Sequence, residues 1–168
     1  MCRTFKLKKA CIDCPFKKGN SYLNPESLKM KIDAVTKQDQ SFSCHKTVDY
    51  DAYNDYQEVS DEIEILADLA SEGYSKDALE KERQKLEDEF NFKEIRDQYN
   101  KTQANEMYCA GMLILVKKEG MLFNNFPLRY AVGSGLLDIN QFKDEDQVYD
   151  SIADAISAHA YNNIVKMG

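Results

Sequence analysis

The sequence contains no tryptophan, only 3 prolines and only 7 glycines in 168 residues. All-β proteins with many tight turns need more proline and glycine, so this scarcity argues against that class. Histidine is also scarce, with 2 residues, and neither lies in a nucleophile or metalloenzyme motif. We therefore favour a protein without enzymatic activity and leave open, as an alternative, an enzyme of unknown substrate.

Long apolar runs are absent as well. The run "MLILV" at 112–116 is far shorter than the roughly 18 apolar residues of a membrane-spanning helix. The first residues are basic but lack the apolar segment of a secretory signal. We expect a cytoplasmic protein without a membrane partner. In a reducing compartment, five cysteines remain thiols that can bind metal, and do not form a disulfide framework.

Charge is distributed unevenly along the chain. The net charge is −7, which argues against nucleic-acid binding across the whole surface. Residues 1–19 nevertheless have a net charge of +5. This basic cluster is either a solvated surface or a contact site for phosphate or an acidic partner. Its members are Arg3, Lys6, Lys8, Lys9, Lys17 and Lys18.

Capping residues and hydrophobic periodicity predict a mainly α protein, a small helical domain organised around a metal site. Asn24 followed by Pro25 is typical of a helix start and predicts a helix over residues 25–37. The apolar run after Cys109 favours a buried helix, and a further short helix is expected to start near Pro127. An amphipathic helix closes the chain.

The middle of the sequence is strongly acidic. Residues 51–100 contain 16 acidic and 6 basic residues. One predicted helix ends at Gly73, and a second runs without a break from Ser75 to about residue 101, which makes a helical hairpin. This hairpin is either a solvated insertion or an arm that binds a protein partner. The predicted boundaries are 1–47 and 107–168 for a metal-binding core domain, and 48–106 for the acidic insertion.

Four cysteines carry the main functional signal: Cys11, Cys14, Cys44 and Cys109. The CxxC spacing of the first two directs both sulfurs to one point, as a metal ion requires. One CxxC is a weak motif, but two further cysteines next to predicted core helices complete a four-thiolate shell. His45 is an alternative ligand, although adjacent side chains usually point apart.

Two other interpretations of the cysteines remain. Cys44 and Cys109 are also explained as small buried hydrophobic residues. A redox dithiol is a second alternative, but no βαβ pattern surrounds the CxxC. For a metal site, four thiolates suit either zinc or a [4Fe–4S] cluster. The general abundance of structural zinc favours zinc, and the sequence leaves both open.

The motifs "CIDCPFKKG", "FSCHKT", "CAGMLIL" and "NFPLRYAVGSGLLD" together resemble a family of small cysteine-rich proteins of unknown function from phages and bacteria. The similarity covers about residues 8–47 and 107–158. Phe16 stands where that family more often has tryptophan, and the acidic segment is an elaboration. The resemblance implies that the four cysteines form one site, and it implies no activity.

Two hypotheses of function follow. The first is a metal-stabilised interaction or regulatory protein, phage-encoded and acting on a host protein in the host cytoplasm. The second is an iron–sulfur protein with a redox or nucleic-acid-linked role, in which the basic cluster contacts phosphate.

Overall fold

The structure, a computed structural model, describes residues 5–167, with side chains as far as residue 162. In that part of the chain it has seven α-helices and no β-strand, which confirms the mainly α prediction. The predicted contact residue Arg3 lies outside the described residues. The helices are α1 (Pro25–Lys37), α2 (Tyr50–Ser71), α3 (Lys76–Glu89), α4 (Phe92–Asn105), α5 (Ala110–Lys118), α6 (Phe126–Gly133) and α7 (Ile152–Met167). Every described helix is too short or too polar to cross a bilayer.

The chain divides into two compact units. We call Met1–Thr47 with Glu106–Gly168 the core unit, and Val48–Asn105 the acidic unit. Within the core unit, the backbone N–H of Met107 donates to Thr47 Oγ1 at 3.1 Å. The points where the chain leaves and re-enters the core unit are therefore neighbours.

Helix α1 begins where the sequence predicts. The Asn24 side chain accepts hydrogen bonds from the N–H groups of Glu26 and Ser27, and Pro25 occupies the first turn. The buried face of this helix is formed by Leu28, Ile32 and Val35, and α1 packs against α7.

Helix α5 lies at the centre of the core unit. All seven residues from 110 to 116 are buried, which confirms the predicted buried helix. At its exit, Lys117 Nζ pairs with Glu145 at 2.8 Å and Lys118 Nζ pairs with Asp150 at 3.0 Å. These lysines suit the carboxyl end of a helix, where the unpaired carbonyl groups favour positive charge.

Asn125 connects α6 to α1. Its Oδ1 accepts from the N–H of Leu128 and caps α6, and its Nδ2 donates to the carbonyl groups of Val35 and Gln40. This residue is buried, with 1% of its surface exposed. An aspartate could cap the helix in the same way but could not donate the other two hydrogen bonds.

The acidic unit contains three helices. The predicted turn at Gly73 is present, with φ of 90° after α2. The prediction of one continuous helix after Ser75 is wrong, because the chain breaks between α3 and α4. Phe90 is extended, and the Asn91 side chain accepts from the N–H of Glu94 and starts a new helix. Both α3 and α4 pack on α2.

Candidate metal centre

Three of the four candidate cysteines, Cys11, Cys14 and Cys44, each occupy the first position of a tight turn. The N–H of Cys14 donates to the Cys11 carbonyl at 3.2 Å, and the N–H of Lys17 donates to the Cys14 carbonyl at 3.0 Å. Around the third cysteine, the N–H of Thr47 donates to the Cys44 carbonyl at 2.8 Å. Such turns fix the direction of each sulfur through the backbone.

Cys109 reaches the site from the start of α5, where it is the residue preceding the first helical turn. A short antiparallel pairing places it beside the third cysteine: the N–H of Cys109 donates to the Phe42 carbonyl at 2.9 Å, and the N–H of Cys44 donates to the Met107 carbonyl at 2.7 Å. Segments that are more than 60 residues apart in sequence therefore meet through backbone hydrogen bonds.

The five candidate ligands form two neighbouring groups, a pair of cysteines and a set of two cysteines with a histidine. Cys14 Sγ and Cys109 Sγ are 3.7 Å apart. The sulfurs of Cys11 and Cys44 and one ring nitrogen of His45 all lie within 4.8 Å of one another, a group that could hold a metal ion. The expectation that Cys44 and His45 point apart is wrong, because the turn that begins at Cys44 brings both side chains toward Cys11. All four thiols are free, and only Cys11 is partly exposed.

The thiols influence one another electrostatically. Contact with Cys109, followed by burial, holds the pKa of Cys14 far above the ordinary thiol value, and the same contact lowers the pKa of Cys109. Burial raises the pKa of Cys44 to about 11, and the nearby sulfurs of Cys109 and Cys11 add to that rise. A bound cation would reverse these effects by favouring thiolates.

Backbone N–H groups face three of the four sulfurs. In each case a donor comes from the residue two positions after the cysteine, and it lowers the pKa of the thiol. Such N–H donors stabilise the negative charge of thiolates in metal sites. The donors are Phe16 for Cys14, Lys46 for Cys44, and Gly111 together with Met112 for Cys109.

Gly111 leaves the space that the Cys14 sulfur occupies. A Cβ on Gly111 would overlap Cys14 Sγ, and it would be in van der Waals contact with Ala10 and Phe16. The Cys-x-Gly sequence at the start of α5 therefore serves the packing of the CxxC loop against the helix. Any side chain at residue 111 would displace that loop.

His159 supports the CxxC loop from α7. Its Nε2 donates to the Pro15 carbonyl at 2.9 Å, and its Nδ1 accepts from the N–H of Leu23 at 3.0 Å. The side chain is fully buried, and both ring nitrogens are satisfied in the neutral ring.

The outer side of the CxxC loop is held by three further side chains. Asn20 Nδ2 donates to the Ile12 carbonyl at 2.6 Å, and the Tyr22 hydroxyl donates to the Asp13 carbonyl at 2.7 Å. The Asp13 carboxylate pairs with Lys46 at 2.5 Å, a contact that lowers the pKa of Asp13. Because Lys46 follows His45, this ion pair connects the two ligand-bearing loops. Sequence reasoning missed all three contacts.

The basic cluster is partly engaged within the protein. Lys18 Nζ pairs with Asp150 at 2.8 Å, and Lys17 forms a backbone bridge with Val148. Lys6 and Lys9 are exposed, and Lys8 is half-buried. A phosphate or partner contact at these residues stays a prediction.

Comparison with protein-family models, with curated proteins and with solved structures gives no match to this chain.

Proposed function

We propose that this protein is a metal-binding interaction protein whose core unit folds around a single zinc ion held by Cys11, Cys14, Cys44 and Cys109. The main support for the zinc assignment is the distance between two sulfur atoms. The Sγ atoms of Cys14 and Cys109 are 3.7 Å apart, and two thiolates on one tetrahedral zinc, each at about 2.3 Å, lie about 3.8 Å apart. A [4Fe–4S] cluster binds each thiolate to a different iron, which requires wider separations.

His45, the fifth candidate donor, is not a ligand of the proposed four-cysteine site but lies close enough to replace one. Structural zinc sites are almost always four-coordinate, so five candidate donors leave one in reserve. His45 is the reserve donor, because it lies within 4.8 Å of both Cys11 and Cys44. It can take the place of Cys11, which is partly exposed while the other three candidate cysteines are buried.

The ion would join three segments that lie far apart in the sequence. Its ligands come from the CxxC loop, from the turn at Cys44 and from the start of α5, 95 residues beyond Cys14. In a small domain, metal binding then contributes directly to the free energy of folding. The interaction role is assigned to the acidic unit, with a protein partner in the cytoplasm. The phage origin and a host target rest on the family resemblance alone.

Metal analysis tests the metal part of this proposal. The protein is purified without oxygen and without chelator, and its metal content and visible spectrum are measured. We expect one zinc per chain and no colour. A brown protein that contains iron and sulfide would overturn the zinc assignment in favour of the iron–sulfur alternative.

A further inference from the structure

The acidic unit contains an apolar groove between α2 and α3. Its volume is about 670 Å³. The four α2 residues that line it follow the i, i+3, i+4, i+7 spacing of one helix face. The apolar lining residues are Ile63, Leu66, Ala67, Ala70, Leu79 and Phe92.

The helices of the acidic unit bury few residues, so they leave the apolar residues of the groove uncovered. Helix α3 has no buried residue, and α2 has only Ala52 and Val59. Ile63 is 49% exposed although it lies in the groove. Because exposed apolar surface of this kind marks interaction sites, the groove is suited to an apolar helix face from outside the unit.

Charge determines which occupant fits. Helix α2 has seven acidic residues and no basic residue. Glu62 and Glu64 flank Ile63, so they lie about 100° to either side of it on the helix. On α3, Arg83 is already paired with Glu87 at 2.9 Å. The charged residues of the lining itself all lie on α3 and balance one another: Lys76, Glu80, Arg83 and Glu87. The excess of negative charge beside the apolar floor therefore comes from α2.

The net charge of the acidic unit disfavours a second copy and nucleic acid as occupants of the groove. Residues 48–105 include 17 acidic and 7 basic residues, so two copies of the unit would repel each other, and nucleic acid would be repelled as well. A basic partner would be attracted, and its apolar face would cover the groove.

We infer that the groove between α2 and α3 binds an amphipathic helix of a partner protein, with apolar residues on one face and lysine or arginine on the other. This inference rests on the proposed interaction role and names the partner class for it. The chemistry resembles other helix-in-groove complexes, in which apolar anchors fill the groove and charges at the rim select the partner.

The test uses the full-length protein and a synthetic helical peptide of about 18 residues, with leucine on one face and lysine on the other. Binding is followed by fluorescence anisotropy. We expect saturable binding with one peptide per chain that weakens as salt is raised. A mirror peptide, with glutamate in place of lysine, should bind at least about tenfold more weakly because of like-charge repulsion.

Two isoleucines of α2 provide a matched pair of variants. Ile63 lines the groove, whereas Ile65 is equally exposed, at 51%, but does not line it. Ile63→Lys should weaken peptide binding by at least about tenfold, as expected when a central apolar anchor is lost, and Ile65→Lys should have a much smaller effect. Equal effects of the two variants would mean that binding is only electrostatic, and would overturn the groove assignment.

The remaining outcomes also decide the inference. Absence of peptide binding would overturn it. A wild-type dimer that Ile63→Lys converts to a monomer would assign the groove to a second copy and would overturn it as well. Because zinc is measured in the same samples, a zinc-loaded protein that binds no peptide separates failure of the groove from failure of the metal proposal.

Discussion

Gly111 and Cys14 are in such close contact that the backbone of α5 forms one wall of the pocket for the Cys14 sulfur. A methyl group on residue 111 would overlap Cys14 Sγ. The glycine therefore belongs to the metal centre although it offers no ligand. This relationship leads directly to the first prediction.

Gly111→Ala should displace Cys14 and weaken metal binding. Overpacking of a buried site costs about 1–3 kcal/mol, and here the displaced atom is a ligand. We expect a lower free energy of unfolding and a lower zinc affinity, measured by denaturation and by chelator competition. Gly133→Ala is the control, because Gly133 also lies in a helix and a Cβ there meets open space. It should be neutral or stabilise by about 0.5 kcal/mol. Equal effects of the two variants would remove the packing explanation.

The fold could be predicted from the sequence where signals are local. The Asn24 and Pro25 pair identified the start of α1, and the dense apolar run identified α5. The break after Phe90 was missed because good helix formers continue on both sides, and its only local signal is one asparagine, Asn91, that caps the start of α4. Asn125 was missed as a cap because two of its three hydrogen bonds go to α1 and the residues after it.

The candidate ligands of the site could be predicted from the sequence, but the side chains that hold the ligand loops in place could not. Cysteine spacing is local information, whereas the contact of His159 with Pro15 joins residues 144 positions apart. The orientation of His45 depends on the turn that begins at Cys44, and no residue pattern specifies that turn. Contacts of high sequence separation depend on the assembled fold, so residue spacing alone does not reveal them.

A buried cysteine and the partly exposed cysteine of the site should behave differently when they are replaced. Cys109→Ser removes a fully enclosed ligand that no other donor replaces. Structural zinc contributes about 10–16 kcal/mol, comparable with the whole stability of a small domain, about 5–15 kcal/mol. We expect this variant to lose zinc and to unfold the core unit, as followed by circular dichroism and metal analysis.

Cys11→Ser should instead retain zinc with reduced affinity, because His45 can take the vacant position. The double variant Cys11→Ser/His45→Ala should lose the ion. Chelator competition measures both affinities. If the single and the double variant bind zinc equally, His45 is not a reserve ligand.

His159→Phe should destabilise the core unit without removing any ligand. The substitution keeps a buried ring but leaves the Pro15 carbonyl and the Leu23 N–H without their hydrogen bonds to His159. The Pro15 carbonyl is buried, and an unsatisfied buried group costs about 1–3 kcal/mol, so we expect a loss of about 1–3 kcal/mol in denaturant unfolding. His159→Gln can still donate to Pro15 and should lose less. A fully stable Phe variant would show that these hydrogen bonds contribute little.

The core unit should fold and bind zinc without the acidic unit. The N–H of Met107 donates to the side chain of Thr47 at 3.1 Å, so a short Gly-Ser linker can replace residues 48–105 without strain. We expect the shortened protein to bind one zinc with unchanged affinity and to unfold cooperatively. Loss of zinc or of cooperative unfolding would mean that the core unit depends on the acidic unit.

X-ray absorption at the zinc edge, on protein purified without added metal, tests the central claim most directly. If Cys11, Cys14, Cys44 and Cys109 hold one zinc, the spectrum should show four sulfur neighbours at about 2.3 Å. A first shell dominated by nitrogen and oxygen, or a metal that is iron with a second iron close by, would contradict the four-thiolate zinc centre.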